Sequence, residues 1–201
     1  MIFRDFAENL LGSRIKVKIL THLLREELPN SERELSRLLG VSNTAIHKAM
    51  LDFQDLNLVS PWVVGGANLW RLNTESYAYK VIAGTQIEGL TSLALLSKRP
   101  PLRHVRVRLA EELSHYEVKV YIFGSVAKGE EEAGSDIDVF VEVGTEEKKK
   151  AVIKGLDKLK DEFVRLFGNQ LRPYVVSRKD LSQKAHAKIA AEARQGIMVT
   201  L

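Results

Sequence analysis

The chain contains no cysteine. That single absence removes disulfides, thiolate-bound metal sites and Cys–His nucleophilic catalysis together, because each needs a sulfur atom. No apolar run approaches the roughly 18 residues that a membrane-spanning helix requires, so no membrane partner is expected. The opening stretch, MIFRDFAENLLGSR, carries acids and lacks both a basic lead and an apolar signal core. It reads as no export signal, and a cytoplasmic location is expected. With 45% apolar and 28% charged residues over 201 positions, the composition is that of an ordinary globular protein. The length suits one large domain or two small ones.

Net charge is only +4, and the charges are unevenly placed. Residues 1–80 hold ten Lys or Arg against nine Asp or Glu, residues 117–144 hold two against seven, and residues 145–201 hold thirteen against seven. Carboxylates therefore gather in one short stretch beside basic chain, as a site for a cation and a polyphosphate would need. Solvated helical surfaces produce such runs as well.

Apolar spacing organises the first third of the chain. Ile15, Ile19, Leu20, Leu23 and Leu24 recur at helical intervals, with Pro29 soon after. Ser31 with Glu34 forms a capping box for a second helix with Leu35, Leu38 and Leu39 on its apolar face, ended by Gly40. Ser42 caps a third, with Ile46, Met50, Phe53 and Leu56 on one side and Asn43, Thr44, His47 and Lys48 on or near the other. Two short apolar stretches then flank Gly65-Gly66, a pair that permits a tight hairpin.

Three helices with a Leu-Gly-Val-Ser turn between the second and third, followed by a hairpin, resemble the winged helix-turn-helix domains of prokaryotic regulators. The resemblance spans roughly residues 10–75 and implies a partner, double-stranded DNA, whose major groove the third helix enters. It makes Asn43, Thr44, His47 and Lys48 the readers, with Ser42 beside them and Arg71 on the wing as a further basic contact. Arg33 and Arg37 are backbone contacts in the same scheme. Winged helices also serve as protein-interaction modules, and the near-neutral charge keeps that alternative open.

Residues 76–116 read as a joining element: YAYKVIAGTQIEGLTSLALLSKRPP as a strand or extended piece, then a helix, then a Pro-Pro break, with a further helix from Leu102. The chemistry lies beyond it, in VKVYIFGSVAKGEEEAGSDIDVFVEV. An apolar strand, Val118 to Phe123, ends at Gly124-Ser125, and a second opens at Asp136-Ile137-Asp138. Glycine lets backbone approach a phosphate closely, and Ser125 adds a hydroxyl and an amide. Residues two apart on a strand share a face, so Asp136 and Asp138 project together. Paired carboxylates repel when bare, and Mg²⁺ with triphosphate oxygens is their natural complement.

Gly124-Ser125 followed about ten residues later by Asp136-x-Asp138 resembles the signature of the DNA polymerase beta-like nucleotidyltransferase superfamily, especially its minimal members. The resemblance implies that Gly124 and Ser125 hold the triphosphate of an NTP, that Asp136 and Asp138 are catalytic and bind Mg²⁺, and that a hydroxyl attacks the α-phosphate. Lys128 can reach a phosphate. Two departures stand out: Val126 replaces a basic residue after the serine, and the strand LRPYVVS, where a third carboxylate is common, carries Arg172, Pro173 and Tyr174. Glu142 lies too far along its strand to join the pair.

The expected fold class is α/β (α+β): a winged helix-turn-helix domain at 1–75, a helical linker at 76–116 and a small mixed-sheet nucleotidyltransferase domain at 117–201. The expected function is a DNA-binding regulator that binds Mg²⁺-NTP and transfers a nucleotide to a protein or small-molecule hydroxyl. Two alternatives stay open: a non-catalytic transcriptional regulator that uses the nucleotidyltransferase fold for sensing or dimerising, and an antitoxin-like nucleotidyltransferase that modifies a partner protein. A homodimer would match two DNA half-sites.

Overall fold

A computed structural model describes residues 1–26, 28–83 and 99–201. The helix expected within residues 84–98 lies outside the described residues.

Serine caps set the first elements. After a short α1 (Phe6–Leu11), α2 (Arg14–Arg25) begins where Ser13 accepts from the Lys16 amide. Ser31 and Ser42 likewise accept from the Glu34 and Ala45 amides, opening α3 (Glu32–Leu39) and α4 (Asn43–Asp55). Each cap satisfies one of the amides that a helix start leaves unpaired. Ile46, Met50, Phe53 and Leu56 are buried, as their spacing predicts, whereas Leu38 is 51% exposed. β1 (Val59–Val64) and β2 (Ala67–Leu72) form the hairpin, and both turn glycines, Gly65 and Gly66, take positive φ.

The next segment corrects one expectation. YAYKVI is helical, as α5 (Tyr77–Ile82), because Ser76 accepts from the Tyr79 amide at 3.1 Å and burial of Tyr77 and Ala78 overrides the strand-like composition. α6 (Pro100–Leu113) opens on proline, whose missing N–H is no loss in a first turn.

The second sheet runs β5-β4-β3-β6. Its strands are β3 (Lys119–Phe123), β4 (Ile137–Val143), β5 (Leu171–Ser177) and β6 (Ile197–Val199). β3 is antiparallel to β4 and β6, while β4 and β5 are parallel. A parallel pair needs a long crossover, supplied by α8 (Glu146–Phe167), which buries Val152, Leu156, Leu159, Phe163 and Leu166 as expected. Between β3 and β4 lies α7 (Gly124–Lys128); after β5 come a 3-10 turn (Asp180–Ser182) and α9 (Lys184–Ala193).

α9 covers a small second cluster, Phe140, Val176, Ala190 and Ala193. The main core is continuous from Met1 to Val199. Phe3 meets Phe167 and Phe6 meets Tyr77, each at 5.5 Å between ring centroids, so the first residues of the chain pack on the end of α8. Asn57, just past α4, donates to the Arg165 and Leu166 carbonyls at that same end. No described helix is long and apolar enough to cross a membrane.

Candidate functional site

β3 ends at Phe123, and the chain turns at once through Gly124 at φ 70°. Phe123 is the ladder partner of Asp138, which brings that turn against the carboxylate. A Cβ at position 124 would stand 2.5 Å from Asp138 Oδ2, so only glycine fits. Ser125 follows, half-buried, and Lys128 stands exposed on the last turn of α7. The second strand opens at Ile137, leaving Asp136 one residue before it, a shift within the fraying of strand ends.

The third strand supplies a cation where an acid was sought. Arg172 is Asp138's partner in the parallel ladder, and its Nη1 lies 3.4 Å from Asp136 Oδ2. Burial pushes the Asp138 carboxyl above the usual carboxylate range; Arg172 opposes the shift, while Asp136 and Glu192 reinforce it. Glu192, on α9, also lines a pocket of about 300 Å³ with Gly124, Lys128 and Gln195. Among the described residues no group of three or more His, Cys, Asp or Glu side chains gathers closely enough to hold a metal ion. The aspartate pair nonetheless suits a hard divalent cation, being two oxygen donors whose crowding favours an added positive charge.

The loop joining Ser125 to Asp136 is pinned from several sides. Glu131, 0% exposed, accepts from the Phe3 and Arg4 amides at 2.9 and 3.0 Å and pairs with Arg99 at 3.2 Å. Arg99 also donates to the Val126 and Ala127 carbonyls, closing the end of α7. Asn169 donates to the Ser135 carbonyl at 2.6 Å, and the Ile137 amide to the Gln170 carbonyl at 2.8 Å. The spacing of the motif is thus held by buried polar contacts.

Residues 102–197 match the family model described as "Nucleotidyltransferase domain". The chain carries a nucleotidyltransferase domain. The matched span runs from within α6 to the first residue of β6 and takes in Gly124, Ser125, Lys128, Asp136, Asp138 and Glu192. Comparisons with curated proteins and with solved structures found no match.

Sequence reasoning missed three residues around the nucleotidyltransferase motif. Glu131 sits in the run Glu130-Glu131-Glu132, whose acidic surface character hides the one side chain that turns inward. Arg99 has no local signal. Glu192 becomes relevant only once α9 packs over the sheet.

The residues assigned to DNA lie away from the nucleotidyltransferase motif, on α4 and the hairpin. Asn43, Thr44 and Lys48 are exposed, and the Ser42 hydroxyl is engaged by the Ala45 amide. His47 Nδ1 lies 2.8 Å from Glu32 Oε1, which also accepts from Trp70 Nε1 at 3.0 Å. The Arg71 guanidinium sits 5.8 Å from the Trp62 ring centroid.

Proposed function

We propose that the protein is a DNA-binding regulator whose nucleotidyltransferase domain binds Mg²⁺-NTP and transfers a nucleotide to a hydroxyl on a protein or small molecule, with pyrophosphate as the leaving group. The observation that carries the reading is the fit of Gly124 against Asp138, which supports taking the Gly124-Ser125 turn and the carboxylate pair as one site. Ser125 and the adjoining amides receive triphosphate oxygens, and Lys128 adds positive charge from the last turn of α7. Asp136 and Asp138 would hold Mg²⁺, which would supply Lewis-acid activation of the phosphoryl group. The pocket lined by Gly124, Lys128 and Glu192 gives room for substrate beside them.

A second reading, a non-catalytic sensor, is favoured by Arg172. A carboxylate on that strand would take the acceptor's proton, whereas a guanidinium cannot. Calorimetric titration with each NTP in Mg²⁺, beside an Asp136→Asn, Asp138→Asn double variant, tests the site: binding equal in both proteins would refute it. Incubation with labelled NTP and a hydroxyl-bearing partner separates transfer from sensing, since only transfer leaves covalent label. A labelled protein partner is the outcome that an antitoxin-like role requires.

For the DNA arm, support comes from α4 and the hairpin, which carry exposed Asn43, Thr44 and Lys48 with Arg71 nearby. Joint His47→Ala and Lys48→Ala substitution weakens duplex binding most at low salt; unchanged binding across a salt series sinks the assignment.

A further inference from the structure

The hairpin has a feature that edge-on reading of a duplex does not use. Between α3, α4 and the hairpin runs a groove of about 480 Å³, lined by Arg33, Asn43, His47, Trp62, Asn68 and Trp70. The chain has two tryptophans, and both line it. Trp70 is a fixed wall, almost buried, with its indole N–H held by Glu32 at 3.0 Å. Trp62 is the opposite case, a large ring 41% exposed.

The surroundings of Trp62 select the ligand. Arg71 packs a guanidinium over the Trp62 ring, setting positive charge beside an aromatic surface. Asn43 and Asn68 offer both donors and acceptors to the edge of a planar heterocycle. Arg33 adds a cation on the α3 side, and the acid of the groove, Glu32, is engaged by His47 and Trp70. An aromatic platform, amides and flanking cations together fit a nucleobase attached to phosphate, rather than an apolar peptide. In an intact duplex the base faces are stacked on one another and only edges are open. A ring platform is useful to a base that has left the stack.

We propose that this groove binds single-stranded or locally unpaired nucleic acid by stacking a base on Trp62. The site builds on the nucleic-acid arm of the proposed function and needs no transfer chemistry.

The two tryptophans make their own probe. The full chain is titrated at low salt with a single-stranded DNA oligonucleotide, the RNA of the same sequence and the DNA duplex, while intrinsic fluorescence is followed. The expected result is saturable quenching by the single strands, with tighter binding than to the duplex. Trp62→Ala then weakens single-strand binding roughly 5- to 150-fold, the range for loss of one base–aromatic stack. Trp62→Phe, which keeps a ring, retains most of the affinity. Single-strand binding that leaves emission unchanged, or that survives Trp62→Ala, overturns the stacking site. Duplex binding without quenching, and tighter than to either single strand, also overturns it and leaves the duplex reading standing. Binding to none of the three overturns both.

Discussion

Replacing Glu131 by alanine tests whether the loop of the nucleotidyltransferase motif is held from below. The carboxylate is fully buried, accepts from two backbone amides at 2.9 and 3.0 Å and pairs with Arg99 at 3.2 Å. Its removal orphans both amides and leaves the partly exposed Arg99 guanidinium with carbonyl acceptors but no counter-charge. Breaking a buried pair in this way costs about 3–5 kcal/mol, a large fraction of a total stability that is on the order of 5–15 kcal/mol. For a chain of this size that corresponds to a fall in melting temperature of roughly 6–20 °C. Urea unfolding followed by circular dichroism measures the loss directly. Glu131→Gln, which keeps an acceptor but not the charge, should fall between wild type and alanine. Hydrogen exchange adds a local readout, because the amides of residues 125–136 should lose protection first. An alanine variant within about 1 kcal/mol of wild type would refute the reasoning, since two buried amides would then have lost their acceptor at almost no cost.

Three further outcomes follow from the same geometry. His104 is buried with its ring centroid 5.5 Å from Tyr77 and 6.0 Å from Phe167, and burial, aided by Arg108, pushes its pKa down to about 4. Because the folded value lies below that of the unfolded chain, stability is complete above about pH 6.5 and declines by up to about 3 kcal/mol toward pH 4. His104→Phe should flatten that part of the profile, and an unchanged slope would exclude His104 as its source. Gly124→Ala forces a side chain into left-handed backbone and against Asp138, with an expected loss of about 1–3 kcal/mol and of metal-dependent nucleotide binding by calorimetry. Arg172→Glu sets an acid beside Asp136 and Asp138, and should tighten Mn²⁺ binding by about tenfold or more, as affinity at oxygen-ligand sites follows the carboxylate count. Equal affinity in the two proteins would show that Arg172 does not guard the pair.

Local chemistry explains which parts were legible in the sequence. Ser31, Ser42 and the Gly65-Gly66 pair act within a few residues of themselves, so their helix starts and turn follow from short-range rules. The 3.6-residue period of α8 marks its buried face without reference to the rest of the molecule. YAYKVI misleads because its β-branched and aromatic composition is outweighed by a cap and by burial against distant residues. The same division runs through the candidate site. Gly124, Ser125, Asp136 and Asp138 are close in sequence and carry a pattern, whereas Arg99, Glu131 and Glu192 meet them only through packing that no short window encodes.

The continuous core from Met1 to Val199 has a thermodynamic consequence. Phe3, Phe6, Tyr77 and Phe167 pack the start of the chain and α5 against the end of α8, so the two halves are expected to melt together. Ligand binding at one end therefore raises the free energy needed to open the whole chain, by about 2.7 kcal/mol at a hundred times the dissociation constant. An NTP seated beside Asp138 would register as a delayed thermal transition at Trp70, on the far hairpin, with no movement of the hairpin itself. Communication between the ends of this molecule can run through shared stability alone.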